Sequence, residues 1–264
     1  MARPPITNTD INGTKYFKTS VTLGYDSDGK QIQKLFYGKS KGEAEQKKQD
    51  YIFMTESGIN PDLGSLALEK AMSDWLWNIE KFSGNKTSTF ERYEIIHRKH
   101  IEGSMIGKIK VYDINKLVVQ KYYNKLVNEG RSFAFIKFLH KLLNKFFRYA
   151  MSEGYVTRNP IYGMKLPKSH EEDINEDDRN IETFSDEELN KIVSSLGNVK
   201  LKYVVLFAVL TGARQGEILA LKKSDVQDGI VRINKTIRNV KVFEDKKNFT
   251  HELKVTRPKS SSSV

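Results

Sequence analysis

The sequence predicts a mainly α-helical protein with small β-sheets, a fold of the α+β class. The N-terminal part contains runs in which apolar and polar side chains alternate, which is the pattern of β-strands. The middle third carries apolar residues at helical spacing. The last third alternates helical segments with short runs rich in β-branched residues. A chain of 264 residues is long enough for two or three domains.

Two strands and a helix are expected at the N-terminus. Residues 15–23 alternate in polarity, the Asp and Gly content of residues 26–30 predicts a turn, and residues 31–37 make the return strand. Ser40 and Glu43 form a capping box that starts a helix. Of the first strand, one face is expected to carry Phe17, Val21 and Leu23, and the other Lys18, Ser20 and Thr22.

Four helices are expected in residues 63–168. The second begins at Thr87 or Ser88, the third covers 114–128, and the longest covers 132–153. The first is predicted from an apolar stripe that is wide enough to be buried, made of Leu68, Met72, Trp75, Ile79 and Phe82.

The positive charge is concentrated in these helices. Residues 63–168 hold 19 Lys and Arg against 9 Asp and Glu, and so supply +10 of the net charge of +11. A segment of this charge attracts a polyanion such as nucleic acid. The alternatives are a solubilising surface and a helical scaffold that binds acidic proteins. Residues 169–182 are rich in Asp and Glu and are expected to form a flexible linker.

One short motif in the last third carries a chemical prediction. Ser185 and Glu188 start a helix by a capping box, and residues 202–210 are expected to form a buried helix that leads into Thr211-Gly-Ala-Arg-Gln-Gly-Glu-Ile-Leu-Ala-Leu221. The motif places Arg214 at the turn into an amphipathic helix. Its guanidinium can donate two parallel hydrogen bonds to a phosphate and stays charged at physiological pH. Glu217, at the i, i+3 position, is expected to be a structural partner of Arg214 rather than the alternative, a proton-transfer residue.

The motif resembles the first active-site box of the tyrosine recombinases, the integrases that cut and rejoin DNA through a phosphotyrosine. The sequence Asn159-Pro160 to Leu166-Pro167-Lys168 resembles the end of that family's core-binding domain. The resemblance implies an arm-type DNA-binding module in 1–62, a helical core-binding domain in 63–168, the linker 169–182 and the first part of a mixed α/β catalytic domain in 183–264. The arm module would lay its sheet in a major groove. Its candidate contacts are Lys18, Ser20, Thr22 and Lys34.

The resemblance also assigns catalytic roles. Arg214 falls where the family holds the scissile phosphate, and Lys259 falls where it has a general acid, with Lys254 as the second candidate. The family's His-x-x-Arg box and nucleophilic tyrosine have no counterpart, since the sequence contains no tyrosine after Tyr203. We therefore expect site-specific recombination chemistry in the family, but no DNA cleavage by this chain alone. The alternative is a non-catalytic DNA-binding protein that competes for integrase sites.

Composition narrows the remaining possibilities. The absence of cysteine excludes disulfides and thiolate catalysis, and no apolar run reaches the roughly 18 residues of a membrane span. We expect no metal, no cofactor and a cytoplasmic, nucleoid-associated protein. The partners implied by the resemblance are double-stranded DNA attachment sites, a tetramer of recombinase chains on DNA, and accessory DNA-bending proteins.

Overall fold

A computed structural model of the chain describes residues 8–167, 183–197 and 199–257. These residues form two compact units. The first contains residues 8–75 and 97–167, and the second contains residues 76–96 together with the described residues after 182. The predicted acidic linker, 169–182, lies outside the described residues.

The first unit begins with a three-stranded antiparallel sheet in the order β1-β2-β3. The strands are β1 (Thr9–Ile11), β2 (Thr14–Tyr25) and β3 (Gln31–Gly38). The alternation in the sequence predicts only β2 and β3. The extra strand β1 is joined to β2 through Asn12 and Gly13, whose φ angles of 55° and 78° belong to the tight hairpin turn that this residue pair favours.

Helix α1 (Lys41–Glu56) covers one face of the sheet. Phe17 is buried there, and the rings of Phe36 and Tyr51 lie 5.3 Å apart. The predicted alternation holds through Thr22, but the prediction for Leu23 is wrong, because a bulge between Thr22 and Gly24 leaves it outside the pairing and half exposed. A short helix α2 (Pro61–Gly64) follows.

The first predicted helix of the middle third is shorter than its apolar stripe. Helix α3 (Leu68–Asn78) ends before Ile79, and a single 3-10 turn follows at Glu80–Phe82. Leu68, Met72 and Trp75 are buried as expected, but Ile79 and Phe82 are 45% and 75% exposed, so the prediction that the whole stripe is buried is wrong. Helix α4 (Thr87–Ile96) continues into one wide turn at His97–Ile101.

The two longest predicted helices are confirmed. Helix α5 (Lys116–Asn128) is capped by the Asn115 side chain, and α6 (Phe133–Ser152) is capped by Ser132, each by accepting a backbone N–H bond. The α6 aromatic residues Phe146 and Phe147 are fully buried, and the Trp75 ring meets Phe146 edge-on at 5.7 Å. The core of this unit is completed by Ile101, Ile106, Val119, Tyr123, Ile136, Leu139, Leu142 and Leu143.

The second unit contains short helices and two hairpins. Besides α4, its elements are α7 (Asp186–Ser195), α8 (Leu201–Thr211), α9 (Gln215–Ile218), β4 (Val226–Gln227), β5 (Ile230–Val231), β6 (Thr236–Phe243) and β7 (Phe249–Thr256). The capping box at Ser185 is present with both of its hydrogen bonds. The prediction that 202–210 is buried is wrong. Apolar residues on all sides of α8 suggested burial, yet none of its residues is buried within the described chain, and Leu210 is 81% exposed.

The hairpin β6–β7 packs on α4 through aromatic rings. Trp77, Phe90 and Phe243 meet edge-on with ring centroids 5.3 to 5.7 Å apart. The Lys81 ammonium donates to the Glu244 carbonyl at 3.0 Å and lies 5.2 Å from the Trp77 ring centroid. Residues 76–96 are thus held to a hairpin about 150 residues later in the chain.

Candidate functional site

The turn that carries Arg214 is built by its neighbours on both sides. Helix α8 ends at Thr211, and Gly212 follows with a φ of 64°, a left-handed conformation that glycine adopts at little cost. The Gly212 amide donates to the Ala208 carbonyl at 2.9 Å. The Thr211 hydroxyl accepts a bond from the Ala213 amide at 3.3 Å. These contacts turn the chain so that Arg214 becomes the first flanking residue of α9.

Glu217 holds Arg214 at two points. One carboxylate oxygen, Oε2, accepts from the Arg214 backbone N–H at 2.9 Å, and Oε1 accepts from the guanidinium Nη1 at 3.0 Å. Glu217 is buried, whereas the Arg214 side chain is 66% exposed. The backbone hydrogen bond from Arg214, followed by the bond from its guanidinium, lowers the pKa of Glu217 against the opposing effect of burial. The predicted contact between Glu217 and Arg214 is present.

The chemical consequence is a guanidinium that is oriented on one side and open on the other. Nη1 is engaged by Glu217, and the rest of the guanidinium is available to an external acceptor. A planar cation can bind a phosphate through two parallel N–H bonds. Because Glu217 already restricts the rotation of the Arg214 side chain, less rotational freedom is lost on binding.

Gly216 allows α9 to lie close to strand β6, a role that the motif alone does not predict. A Cβ at this position would lie 2.5 Å from Thr236 Oγ1 and 2.7 Å from the Ile237 carbonyl oxygen. Only a residue without a side chain fits between the helix and the strand. The signal in the sequence was the glycine inside a helix start, directly beside the candidate arginine.

The sheet of the first unit brings three of the predicted DNA-contact residues together. Lys18, Ser20 and Thr22 lie on one face of β2, opposite the face that α1 covers. Their partners across the strand pair are Tyr37, Leu35 and Gln33. Asn8 fixes the backbone of Lys18 by a pair of hydrogen bonds of 2.6 and 2.9 Å, so this face is well defined beside β1.

Lys34, the fourth predicted contact, lies on the other face. It pairs with Val21 in the register, which places it on the side of α1. Its ammonium forms an ion pair with Asp62 and lies 5.6 Å from the Tyr51 ring centroid. The structure therefore does not bring Lys34 together with Lys18, Ser20 and Thr22.

Of the two candidate lysines near the end of the chain, only Lys254 lies within the described residues. Lys259 lies outside the described residues. Lys254 lies on β7, where it pairs with Arg238, and its ammonium is 3.4 Å from the Thr87 hydroxyl at the start of α4. No described contact joins Lys254 to Arg214.

Several titratable rings of the first unit make hydrogen bonds within that unit. Nε2 of His97 lies 2.9 Å from the Glu69 carbonyl, and Nδ1 of His140 lies 3.2 Å from the Tyr123 hydroxyl. Burial lowers the pKa of His140 and raises the pKa of Tyr122 to about 12. The Tyr122 hydroxyl donates a hydrogen bond to the His100 carbonyl. Among the described residues no group of three or more His, Asp and Glu side chains could hold a metal. Within the same residues, no helix combines the length and the apolar character needed to cross a membrane.

Comparison with known proteins places these features in a family. The model of the phage integrase N-terminal SAM-like domain matches residues 67–127. A protein described as tyrosine recombinase XerC-like, from Caldanaerobacter subterraneus, is 39% identical over 262 residues, which is 98% of this chain and 66% of that protein. An integrase of Streptomyces ambofaciens is 24% identical over 202 residues, 76% of this chain and 50% of the relative. The chain thus spans from half to about two thirds of the length of these relatives.

Solved structures show the same fold. The Tn1549 transposon integrase, in complex with a circular intermediate DNA, matches with a TM-score of 0.57 at 15% identity, over 75% of this chain and 59% of that chain. A λ integrase dimer bound to a COC′ core site matches with a TM-score of 0.50 at 22% identity, over 71% of this chain and 62% of that chain. The motif around Arg214, the SAM-like domain and the 39% identical relative agree, and the chain belongs to the tyrosine recombinase family of integrases.

Proposed function

We propose that this chain binds duplex DNA and serves site-specific recombination of the tyrosine recombinase type. The observation that carries the proposal is the Arg214 guanidinium, oriented by buried Glu217 and open to an external phosphate. In the proposed reaction Arg214 holds the scissile phosphate, where its charge would stabilise the transition state. A tyrosine hydroxyl that the sequence does not contain after Tyr203 would attack the phosphorus, and Lys259 would protonate the departing 5′ oxygen, with Lys254 as the second candidate for that role.

The proposal extends to the domain organisation. Residues 1–62 would form an arm module, 63–168 a core-binding domain and 183–264 the first part of a catalytic domain. The match of the SAM-like model to 67–127 supports the second of these. The open face with Lys18, Ser20 and Thr22 would contact a major groove, which admits a β-ribbon. Lys34 would support that face from behind through Asp62 and Tyr51.

By itself the chain would bind DNA without cleaving it. The sequence contains no tyrosine after Tyr203 and no His-x-x-Arg box. Attachment sites, a tetrameric assembly on DNA, accessory bending proteins and a location at the nucleoid are parts of the same proposal. The DNA complexes of the Tn1549 and λ integrases support duplex DNA as the partner.

Two measurements on the purified chain test the proposal. Selection from a random duplex library, followed by fluorescence anisotropy on the enriched duplex, should show specific binding that weakens with salt. Incubation with a nicked form of that duplex should leave no protein–DNA band in a denaturing gel. Failure to bind any duplex at low salt would overturn the DNA-binding proposal, and a band that survives denaturant would overturn the proposed lack of cleavage.

A further inference from the structure

Helix α8 is apolar on every side, yet the described parts of the chain leave it uncovered. Its sequence, Leu-Lys-Tyr-Val-Val-Leu-Phe-Ala-Val-Leu-Thr, contains one charged residue, Lys202, and none of its residues is buried. Tyr203 and Leu210 are 73% and 81% exposed, and because they are seven residues apart they lie on the same face of the helix. A contiguous apolar surface of this kind indicates a place where another molecule docks.

This surface is large enough for a specific interface. We call α8 surface the exposed apolar side chains of the helix and of the residues just before it, which are 39% to 81% exposed: Val199, Leu201, Tyr203, Val204, Val209 and Leu210. If each fully exposed side chain contributes about 150 Å², these residues and the half-buried ones between them present about 600 Å². Two such surfaces would bury about 1,200 Å² in total, the lower end of the range for stable, specific interfaces.

The charges at the ends of α8 favour a second copy of the chain as the occupant. Lys200 and Lys202 lie at the N-terminal end, and the last turn contains no basic residue. In an antiparallel pair related by a two-fold axis, the lysines of each copy lie beside the C-terminal end of the other helix, where the helix dipole favours a cation. Arg214, three residues beyond α8, is already paired with Glu217. A parallel pair would bring four lysines together, so the surface complements itself in the antiparallel orientation.

We propose that two copies of this chain associate through their α8 surfaces as an antiparallel, two-fold dimer. Such an interface is isologous, so the assembly closes at two copies and does not continue into a fibre. Tyr203 of one copy lies beside Leu210 of the other, because the two-fold axis passes midway between these positions on the face they share. A membrane surface fits α8 less well, since a helix that lies on a membrane carries a strongly polar, basic face. The dimer goes beyond the proposed function and forms without DNA.

The first test measures self-association of the full chain without DNA by sedimentation equilibrium over a range of concentrations. One variant changes the two most exposed positions of the α8 surface (Tyr203→Gln with Leu210→Gln). The matched control changes two equally exposed apolar residues of the first unit, Phe53→Gln with Tyr162→Gln, which are 71% and 78% exposed. The parent and the control should show the same monomer–dimer equilibrium, and the Kd of the α8 variant should be at least about tenfold higher. Circular dichroism of dilute samples checks that the substitutions leave the fold intact.

The second test uses the absence of cysteine from the chain to determine the orientation. Chains with Tyr203→Cys and with Leu210→Cys are oxidised with copper phenanthroline, each alone and as an equal mixture. A disulfide requires Cα atoms within about 7 Å, and in the antiparallel dimer like positions lie about 10 Å apart along the helix. Cross-linking should therefore be strong in the mixture and weak in either chain alone. A mixture of Phe53→Cys with Leu210→Cys gives the background from random collision.

Several outcomes would overturn the dimer. A parent chain that stays monomeric would leave the α8 surface to another occupant, such as the part of the 39% identical relative that this chain does not match. Open-ended oligomers would contradict a closed two-fold interface, and equal Kd values for the α8 variant and the control would locate the association elsewhere. Preferential cross-linking of each cysteine chain with itself would refute the antiparallel arrangement. DNA binding is tested separately by anisotropy, so failure of the dimer and failure of the proposed function are distinguishable.

Discussion

Replacing Gly216 with alanine should destabilise the second unit, although alanine is the better helix former. A Cβ at this position would lie 2.5 Å from Thr236 Oγ1 and 2.7 Å from the Ile237 carbonyl oxygen, where ordinary contacts begin at 3.4 Å. The Thr236 side chain can rotate away. The Ile237 carbonyl belongs to the backbone of β6, so about 0.7 Å must be gained by moving α9 or the strand.

The magnitude follows from two opposing effects. Overpacking of this kind costs about 1 to 3 kcal/mol. The higher helix propensity of alanine returns at most about 1 kcal/mol, and less in a helix of four residues. The net loss of unfolding free energy should therefore be about 1 to 2 kcal/mol. Because α9 moves away from β6, Arg214 should also lose its fixed position.

Gly42→Ala is the matched control. Gly42 also lies in the first turn of a helix, and its added Cβ would meet only Ser40 Oγ at 3.9 Å. This variant should gain about 0.5 to 1 kcal/mol. Urea unfolding of both units is followed by far-UV circular dichroism, and that of the second unit also by the fluorescence of Trp77, which contacts β6, in a background with Trp75→Phe. If Gly216→Ala proved as stable as Gly42→Ala, the close approach of α9 to β6 and its role in placing Arg214 would be refuted.

Three further outcomes are expected. Arg214 holds the pKa of Glu217 below its usual 4.5, so the stability that Glu217 contributes is lost only as the pH falls through the lowered pKa; the urea midpoints of the parent and Glu217→Gln should therefore stay apart down to about pH 5.5 and converge as the pH falls below 4.5. Phe243→Ala should cost about 3 kcal/mol of unfolding free energy, whereas Phe249→Ala on the same hairpin, at 43% exposure, should cost clearly less, and equal losses in thermal melts would contradict the α4 contact. Lys18→Gln should weaken duplex binding in anisotropy more than Lys34→Gln, because only Lys18 lies on the open face of the sheet, and the reverse order would contradict that assignment.

Helices whose signals are local were predictable from the sequence. The bounds of α5 and α6 follow from Asn115 and Ser132, which cap them, and from glycines at 130 and 154 with φ of 77° and 75°. Strand β1 was missed because its three residues are too few to show alternation, although Asn12-Gly13 was a recognisable turn signal.

The face of a residue on a paired strand was less predictable. The sequence predicts Lys34 and Lys18 as contacts of one module, but the side that Lys34 faces depends on its partner across the strand pair, Val21. The register also depends on the bulge at Thr22 and Gly24, which no local pattern reveals. A shift of one residue would have placed Lys34 on the open face.

Contacts between distant parts of the chain explain the largest differences. The periodicity of α3 predicted that Ile79 and Phe82 would be buried with Trp75, but the chain turns after Asn78, and Trp77 packs on Phe243 instead. The burial of α8 was inferred from its apolar composition. An apolar composition indicates that a helix tends to be buried. Whether the described residues bury it depends on the fold, and in this chain they leave α8 exposed.

The motif around Arg214 predicts one of the two contacts that hold the arginine in place and does not predict the other. A helix of four residues such as α9 cannot stabilise itself, because nucleation costs more than its few hydrogen bonds return. Contacts with neighbouring residues must therefore hold it in position. The first of these contacts comes from Glu217, which accepts hydrogen bonds from both the backbone and the guanidinium of Arg214. The second contact is with strand β6, which can approach α9 closely because Gly216 has no side chain. The i, i+3 spacing predicted the first of these contacts. The second depends on a strand twenty residues later in the chain, so the need for glycine beside the arginine becomes explicable only when that strand is in place.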